Sequence, residues 1–238
     1  MATSGSTNFS INRDQLIAGA LRIAGAISQG ETPSATLYTE TAEALNMFIK
    51  AMQADGMPLW ATKKYAITLT TSAADYTIGV SQTVNTPKPL KVLQAFLRNT
   101  STNLDIPVRI ITRSEYELLG NKTTTGLPVQ IFYEPLLTTG VLHVYPVPDS
   151  TVASSYTLSI IYQRPFEDFD ATADEPDFPQ EYYDCIKFGL ADRIAPEHGL
   201  AIQDRQDLRS RAKELRQEAL SFGLEEGSMY IQANLQSW

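Results

Sequence analysis

Few residues of this 238-residue chain have types and spacings that could do chemistry. His143 lies in an alternating apolar stretch and His198 follows Pro196 and Glu197, and neither fits H-E-x-x-H or any zinc-ligand spacing. A G-x-S-x-G elbow, a phosphate-cradling G-x-x-x-x-G-K-[ST] and a dinucleotide G-x-G-x-x-G are all missing from the sequence. Glu115 with Glu117, and Asp168 with Asp170, are the carboxylate pairs to which glycoside hydrolysis could be assigned, and that reaction requires a fixed separation between the two groups. Glu167, Asp168, Asp170, Asp174, Glu175 and Asp177 crowd the stretch RPFEDFDATADEPD. Metal ligation there would need an order of donors such as the EF-hand's D-x-[DN]-x-[DN]-G with a closing glutamate, which is absent, so the stretch reads as a hydrated acidic linker. Cys185, the single cysteine, leaves no intrachain disulfide, and its helical spacing with Tyr182, Ile186 and Gly189 favours a packed small apolar group over a reactive thiol. These residues give no catalytic, cofactor-binding or metal-binding assignment.

The elements that would position such groups fall into three stretches. Leu16, Ile17, Ala20, Leu21, Ala24 and Ile27 recur at helical spacing, as do Leu45, Phe48, Ile49 and Met52, which predicts helices over 12–27 and 37–55 joined at a Gly-Glu-Thr-Pro corner. Gly30 and Pro33 separate them, and Gly56 and Pro58 close the second. Residues 65–164 change character, with β-branched and aromatic alternation predicting strands over 65–70, 75–78, 90–98, 106–110, 129–133, 141–145 and 156–162. Thr112 and Glu115 have the capping-box spacing ahead of Tyr116, Leu118 and Leu119, so a short helix is expected to interrupt the strands. Pro179 opens a helix through Ile186, Leu190 and Ile194, and a charged helix follows over 202–222.

The expected fold class is α+β: a helical bundle built from N- and C-terminal helices, with an inserted β-sandwich or barrel-like domain. The expected division is a helical hairpin over 1–62, the β-rich insertion with its short helix over 63–164, the acidic linker over 165–178, completing helices over 179–224 and a tail over 225–238. A 43% hydrophobic content at this length supports a core of its own. The first ten residues lack the basic and apolar regions of a signal peptide, and no window approaches the ~20 apolar residues that cross a bilayer, so neither secretion nor membrane insertion is expected.

Nineteen Lys and Arg against 27 Asp and Glu give a formal net charge of −8. A protein that grips DNA needs a basic face to displace counterions from phosphates, and here the densest basic cluster, Arg205, Arg209, Arg211, Lys213 and Arg216, is matched by Asp204, Asp207, Glu214 and Glu218 on the same helix. Acidic balance suits a wall past which DNA slides without sticking. In the last stretch, Met229, Tyr230, Ile231, Leu235 and Trp238 stand in a polar background, and large apolar groups on a loose end call either for the chain's own core or for a partner surface.

The run LRIAG…GETPSA…EALNMFIKAMQADGMPLW, the segment VLHVYPVPDS, the stretch YQRPFEDFDATADEPDFPQEYYDCIKFGLADRIAPEHGL and a long last helix followed by a short tail come in one order. Together they resemble the head-to-tail adaptor proteins of tailed bacteriophages, also called tail accessory or packaged-DNA stabilisation proteins. The resemblance covers most of the chain. It implies a non-enzymatic virion protein without cofactors, assembled in the host cytoplasm and sited at the head-tail junction. It further implies a ring of twelve copies under the portal protein, an extended DNA channel, retention of packaged duplex DNA without specific binding, and attachment of tail parts such as nozzle, hub or tail fibres. Met229, Tyr230, Ile231, Leu235 and Trp238 match the tail that reaches onto the portal in that family. Carried beside this reading are another neck protein (stopper or terminator), a wall-degrading hydrolase, and a carbohydrate-binding module, the last requiring exposed aromatics on one sheet face near Trp60.

Overall fold

A computed structural model describes residues 5–54 and 61–222, so the expectations on Gly56, Pro58, Trp60 and the segment holding Met229, Tyr230, Ile231, Leu235 and Trp238 lie outside the described residues. In chain order the elements are helices α1 (Arg13–Ile23) and α2 (Ala35–Ala54), then strands β1 (Thr62–Thr68), β2 (Asp75–Gly79), β3 (Val84–Asn85), β4 (Lys91–Asn99) and β5 (Asp105–Ile110). Helix α3 (Arg113–Glu117), strands β6 (Gln130–Pro135) and β7 (Gly140–Tyr145), helix α4 (Ser150–Ser155) and strand β8 (Tyr156–Gln163) follow. Helices α5 (Tyr183–Ile194) and α6 (Ile202–Phe222) come last. The class is α+β. The chain divides into two compact units, one comprising the residues up to Met52 together with those from Asp168 onward, the other Gln53–Glu167.

Strand order in the second unit is β1-β8-β4-β5-β6-β7-β2-β3, an eight-stranded, nearly closed barrel-like sheet. All pairings are antiparallel except β2 with β3 and β5 with β6. Alternation along each strand sends one set of side chains inward, so Tyr76, Ile78, Leu97, Ile131, Leu142, Val144, Leu158, Ile160 and Tyr162 form one apolar core. Within this core the buried hydroxyls of Thr86 and Tyr162 hydrogen-bond to one another at 2.6 Å. The capping box expected at α3 is present: the Glu115 amide donates to Thr112 Oγ1 and the Thr112 amide donates to Glu115 Oε2 at 2.7 Å. Strand β3 and helix α4 were not expected.

In the helical unit, α5 packs against α1 and α6. Phe48 of α2 lies over Gly189 of α5, where a Cβ would stand 2.2 Å from its ring, so the two helices meet through a residue without a side chain. Helix α1 stops at Ile23, earlier than the expected 27. Gly25 takes a left-handed φ of 71°, the Ala26 amide donates to the Leu21 carbonyl and the Gly25 amide to that of Arg22, the double bond of a Schellman cap. At the α5 start a single 3-10 turn, Gln180–Tyr182, stands where helix was expected from Pro179.

The acidic stretch after β8 lacks regular secondary structure, as its composition predicts, but it is not hydrated throughout. Phe166, Phe169 and Phe178 are buried within it. Asn46 of α2 accepts from the Phe169 amide at 3.0 Å and donates to the Phe169 carbonyl at 3.3 Å, so one side-chain amide satisfies both backbone groups of a buried residue. Asp174 accepts from the amides of Asp170 and Ala171, while its own carbonyl accepts from the Arg13 amide at 2.8 Å. The apolar area of the phenylalanines outweighs the charge around them, because the carboxylates can turn outward while the rings cannot.

Candidate interaction surfaces

Most of the residues that the sequence nominates for chemistry are, where described, held in a structural bond or packed away. Glu115 serves the α3 cap and pairs with Arg109, and the Thr112 amide bond holds its carboxyl below the usual range. Glu117 pairs with Lys122 at 2.9 Å, which likewise lowers its carboxyl. A general acid needs the opposite shift, so this pair is unsuited to glycoside hydrolysis. Asp168 pairs with Lys50 at 2.6 Å, and Asp170 offers its backbone carbonyl to Arg13 at 3.4 Å. Among the described residues, no three His, Cys, Asp or Glu side chains converge to hold a metal ion. Cys185 is buried beside Phe48 and Gly189, and burial pushes its thiol up to about 11, away from the thiolate a nucleophile needs. His198 is half-buried after α5.

His143 has the richest surroundings. Strand register places it opposite Asp75 of β2 and Phe132 of β6. Its Nδ1 is 2.7 Å from Asp75 Oδ1 and its Nε2 3.3 Å from Glu134 Oε2. The imidazole stacks on Phe132 with centroids 5.4 Å apart, and Tyr116 of α3 tilts over it at 5.0 Å. Arg113 pairs with Glu134 and lies over the Phe132 ring, while Lys122 lies over Tyr116. Both ring nitrogens are engaged by carboxylates, so the imidazole has no free nitrogen for a substrate; the cluster fastens α3 to the sheet.

Among the apolar side chains that the unit presents outward are those of the β6–β7 hairpin. Leu137 is 95% exposed, with Leu136 beside it and Val80 of the β2–β3 turn 74% exposed. Pairing of Ile78 with Gly140 sets that turn next to the hairpin. The backbone of the tip is braced by hydrogen bonds. The ladder runs to Pro135 and Gly140, the Leu136 amide donates to the Thr139 carbonyl at 2.9 Å, and Lys88 Nζ donates to the carbonyls of Leu136 and Leu137. Beneath it, Tyr133 Oη donates to the Pro89 carbonyl at 2.6 Å, and its ring fills the space over Gly140, where a Cβ would lie 2.3 Å from the oxygen. Burial pushes the Tyr133 phenol up to about 12. A signal for this tip stood in the sequence as Leu-Leu between Pro135 and Thr138, against the polar rule for turns.

Residues 11–226 match the family model described as SU10 adaptor protein. The chain belongs to the SU10 adaptor family. This is a phage head-tail adaptor family, structural rather than enzymatic, and the match runs through the barrel and through helices from both ends of the chain. No individually curated protein matches the chain. An adaptor works by contact with other phage head and tail proteins, so the functional features of this adaptor-family chain are its surfaces. Among the described residues, no helix is long and apolar enough to cross a membrane.

Proposed function

We propose that the chain is the structural head-to-tail adaptor of a bacteriophage virion, forming a ring of twelve copies under the portal protein. The ring extends the DNA channel, retains packaged DNA and carries downstream parts such as nozzle, hub or tail fibres. The observation that carries this reading is the family match over residues 11–226. Within it, the helices over 1–62 and 179–224 act as one bundle, with the segment 63–164 inserted, 165–178 linking and 225–238 trailing. A closed ring of identical copies uses two different faces of each subunit. Net charge of −8 suits a channel that duplex DNA traverses without sticking. Assembly takes place in the host cytoplasm and the mature location is the head-tail junction of the virion.

Attachment to the portal is assigned to Met229, Tyr230, Ile231, Leu235 and Trp238. Burying two or three such side chains on a partner contributes on the order of 5 kcal/mol before ordering costs, repeated around the ring. Deleting 227–238 tests this: melting is expected to stay unchanged while co-sedimentation with the cognate portal is lost. A fall of ~10 °C or more would mean that the tail packs on its own domain, since this corresponds to several kcal/mol at this length. Unchanged melting with unchanged portal binding would move attachment to the helices.

A further inference from the structure

Helix α3 has no buried residue, so no core side chain of its own holds it on the barrel. Its ties to the sheet run through the surface cluster around His143. Tyr116 of α3 tilts over the imidazole, and Arg113 of α3 pairs with Glu134 and lies over the Phe132 ring on which the imidazole stacks. Away from this cluster Glu115 pairs with Arg109 of β5, but that pair is exposed and correspondingly weak.

The charges of the cluster balance only when the imidazole is itself charged. Around it stand Asp75 from β2, Glu134 from β6 and Glu117 from α3, against Arg113 of α3 and Lys122 just beyond it. Arg113 is taken by Glu134 and Lys122 by Glu117, so Asp75 has His143 as its only ion-pair partner among the described residues. Two phenols complete the surroundings, Tyr145 two residues along β7 and Tyr116, which burial raises. An ionised carboxylate only accepts hydrogen bonds, and a neutral imidazole has a single donor. Nδ1 at 2.7 Å from Asp75 and Nε2 at 3.3 Å from Glu134 are therefore satisfied together only when both carry a proton. With 15% of the side chain exposed, water can replace little of a bond that is lost.

We propose that His143 is a proton-operated latch for α3: the doubly protonated ring ties β2 and β6 together beneath the helix, and loss of one proton loosens the helix from the sheet. The latch is closed where the imidazole is charged and the carboxylates are ionised, so it opens as pH rises through the imidazole titration. In strong acid, protonation of Asp75 and Glu134 removes the same bonds from the other side. What changes with pH is the presentation of residues 113–118, which end in Leu118, 84% exposed.

This inference does not rest on the ring reading, and the isolated full chain tests it. The chain has two histidines, so nitrogen-15 histidine labelling of a His198→Gln variant leaves His143 as the one ring signal. Between about pH 6 and about pH 9 the ring is expected to pass from two N–H groups to one. Over the same range the exchange protection of the Tyr116 and Leu118 amides, which donate to the Thr112 and Ser114 carbonyls, is expected to fall about tenfold. Protection of Ile131 and Leu142 in the barrel core is expected to stay within about twofold. His143→Gln is expected to show the low α3 protection at both ends of the range. Asp75→Asn, which alters an exposed side chain and spares the fold, is expected to move the ring titration toward acid by at least about half a pH unit. A ring whose proton count stays constant over the range overturns the latch. So does a titrating ring with α3 protection unaltered, a His143→Gln variant protected like the wild type, or an Asp75→Asn variant that titrates where the wild type does.

Discussion

Two charged regions of the helical unit, the acidic segment from Asp168 to Asp177 and helix α6, look alike in composition and are built in opposite ways. In the acidic segment Phe169, and just beyond it Phe178, are driven inside, and the backbone around them is satisfied by Asn46, by Asp174 and by the carbonyl-to-amide bond with Arg13. In α6 a thin stripe of Leu208, Ala212 and Ala219 is buried while the charged side chains stay out, Arg211 pairing with Glu214 one turn on at 3.2 Å. Charge density therefore does not decide whether a stretch is hydrated. What decides is whether aromatic area is interleaved with the charges and whether partners exist for the backbone that the aromatics drag inside.

The comparison breaks most visibly at Phe169. Phe169→Ala removes a buried ring from a segment with no secondary structure of its own to collapse around the hole, and is expected to cost about 3–5 kcal/mol. At this chain length that lowers the melting temperature by roughly 10 °C. A change under ~2 °C would mean that the segment is as loosely held as its charge suggests. Asn46→Ala is expected to cost about 2 kcal/mol, because it strands both the amide and the carbonyl of a buried residue. Asn46→Asp sharpens the point by keeping the acceptor for the Phe169 amide while losing the donor to its carbonyl, so its melting temperature should fall between those of the wild type and the alanine variant.

These residues also mark where the sequence could be read and where it could not. Strands with β-branched and aromatic alternation were visible because one face of each lines the barrel core, and the Thr112 to Glu115 box was visible because capping is a local bond between near neighbours. Strand β3, only Val84–Asn85, is too short to show a period, and α4, with Val152 its one buried residue, shows no stripe. The early end of α1 was written in Gly25, but Ile27 continues the apolar spacing and hid it. Nothing local announces that Asn46 will meet a residue 123 positions away, or that Phe132, Glu134 and Tyr116 will enclose His143. Such partners exist only once register and packing have brought distant segments together, and the Leu136–Leu137 tip is informative for the converse reason, since the Leu137 side chain stays almost wholly exposed.

Smaller effects sharpen the contrast from both sides. Asp174→Ala removes the carboxylate that accepts from the amides of Asp170 and Ala171, and a loss of about 1 kcal/mol is expected, since both amides lie near enough to solvent to recover part of their bonding from water. Asp174→Asn retains an acceptor and should recover most of that loss. On α6, Arg211→Ala breaks an exposed pair of the kind worth at most ~0.5 kcal/mol, in which Coulomb attraction is screened and the ordering of two long side chains cancels much of the gain. Thermal melts in 0.05 M and 0.5 M salt should place R211A within about 1 °C of wild type at both. A clear, salt-dependent loss in the isolated chain would show that the α6 charges hold its own unit together. The absence of such a loss would show that the Arg211–Glu214 pair does not hold the unit together, which is the reading the contrast with the acidic segment requires.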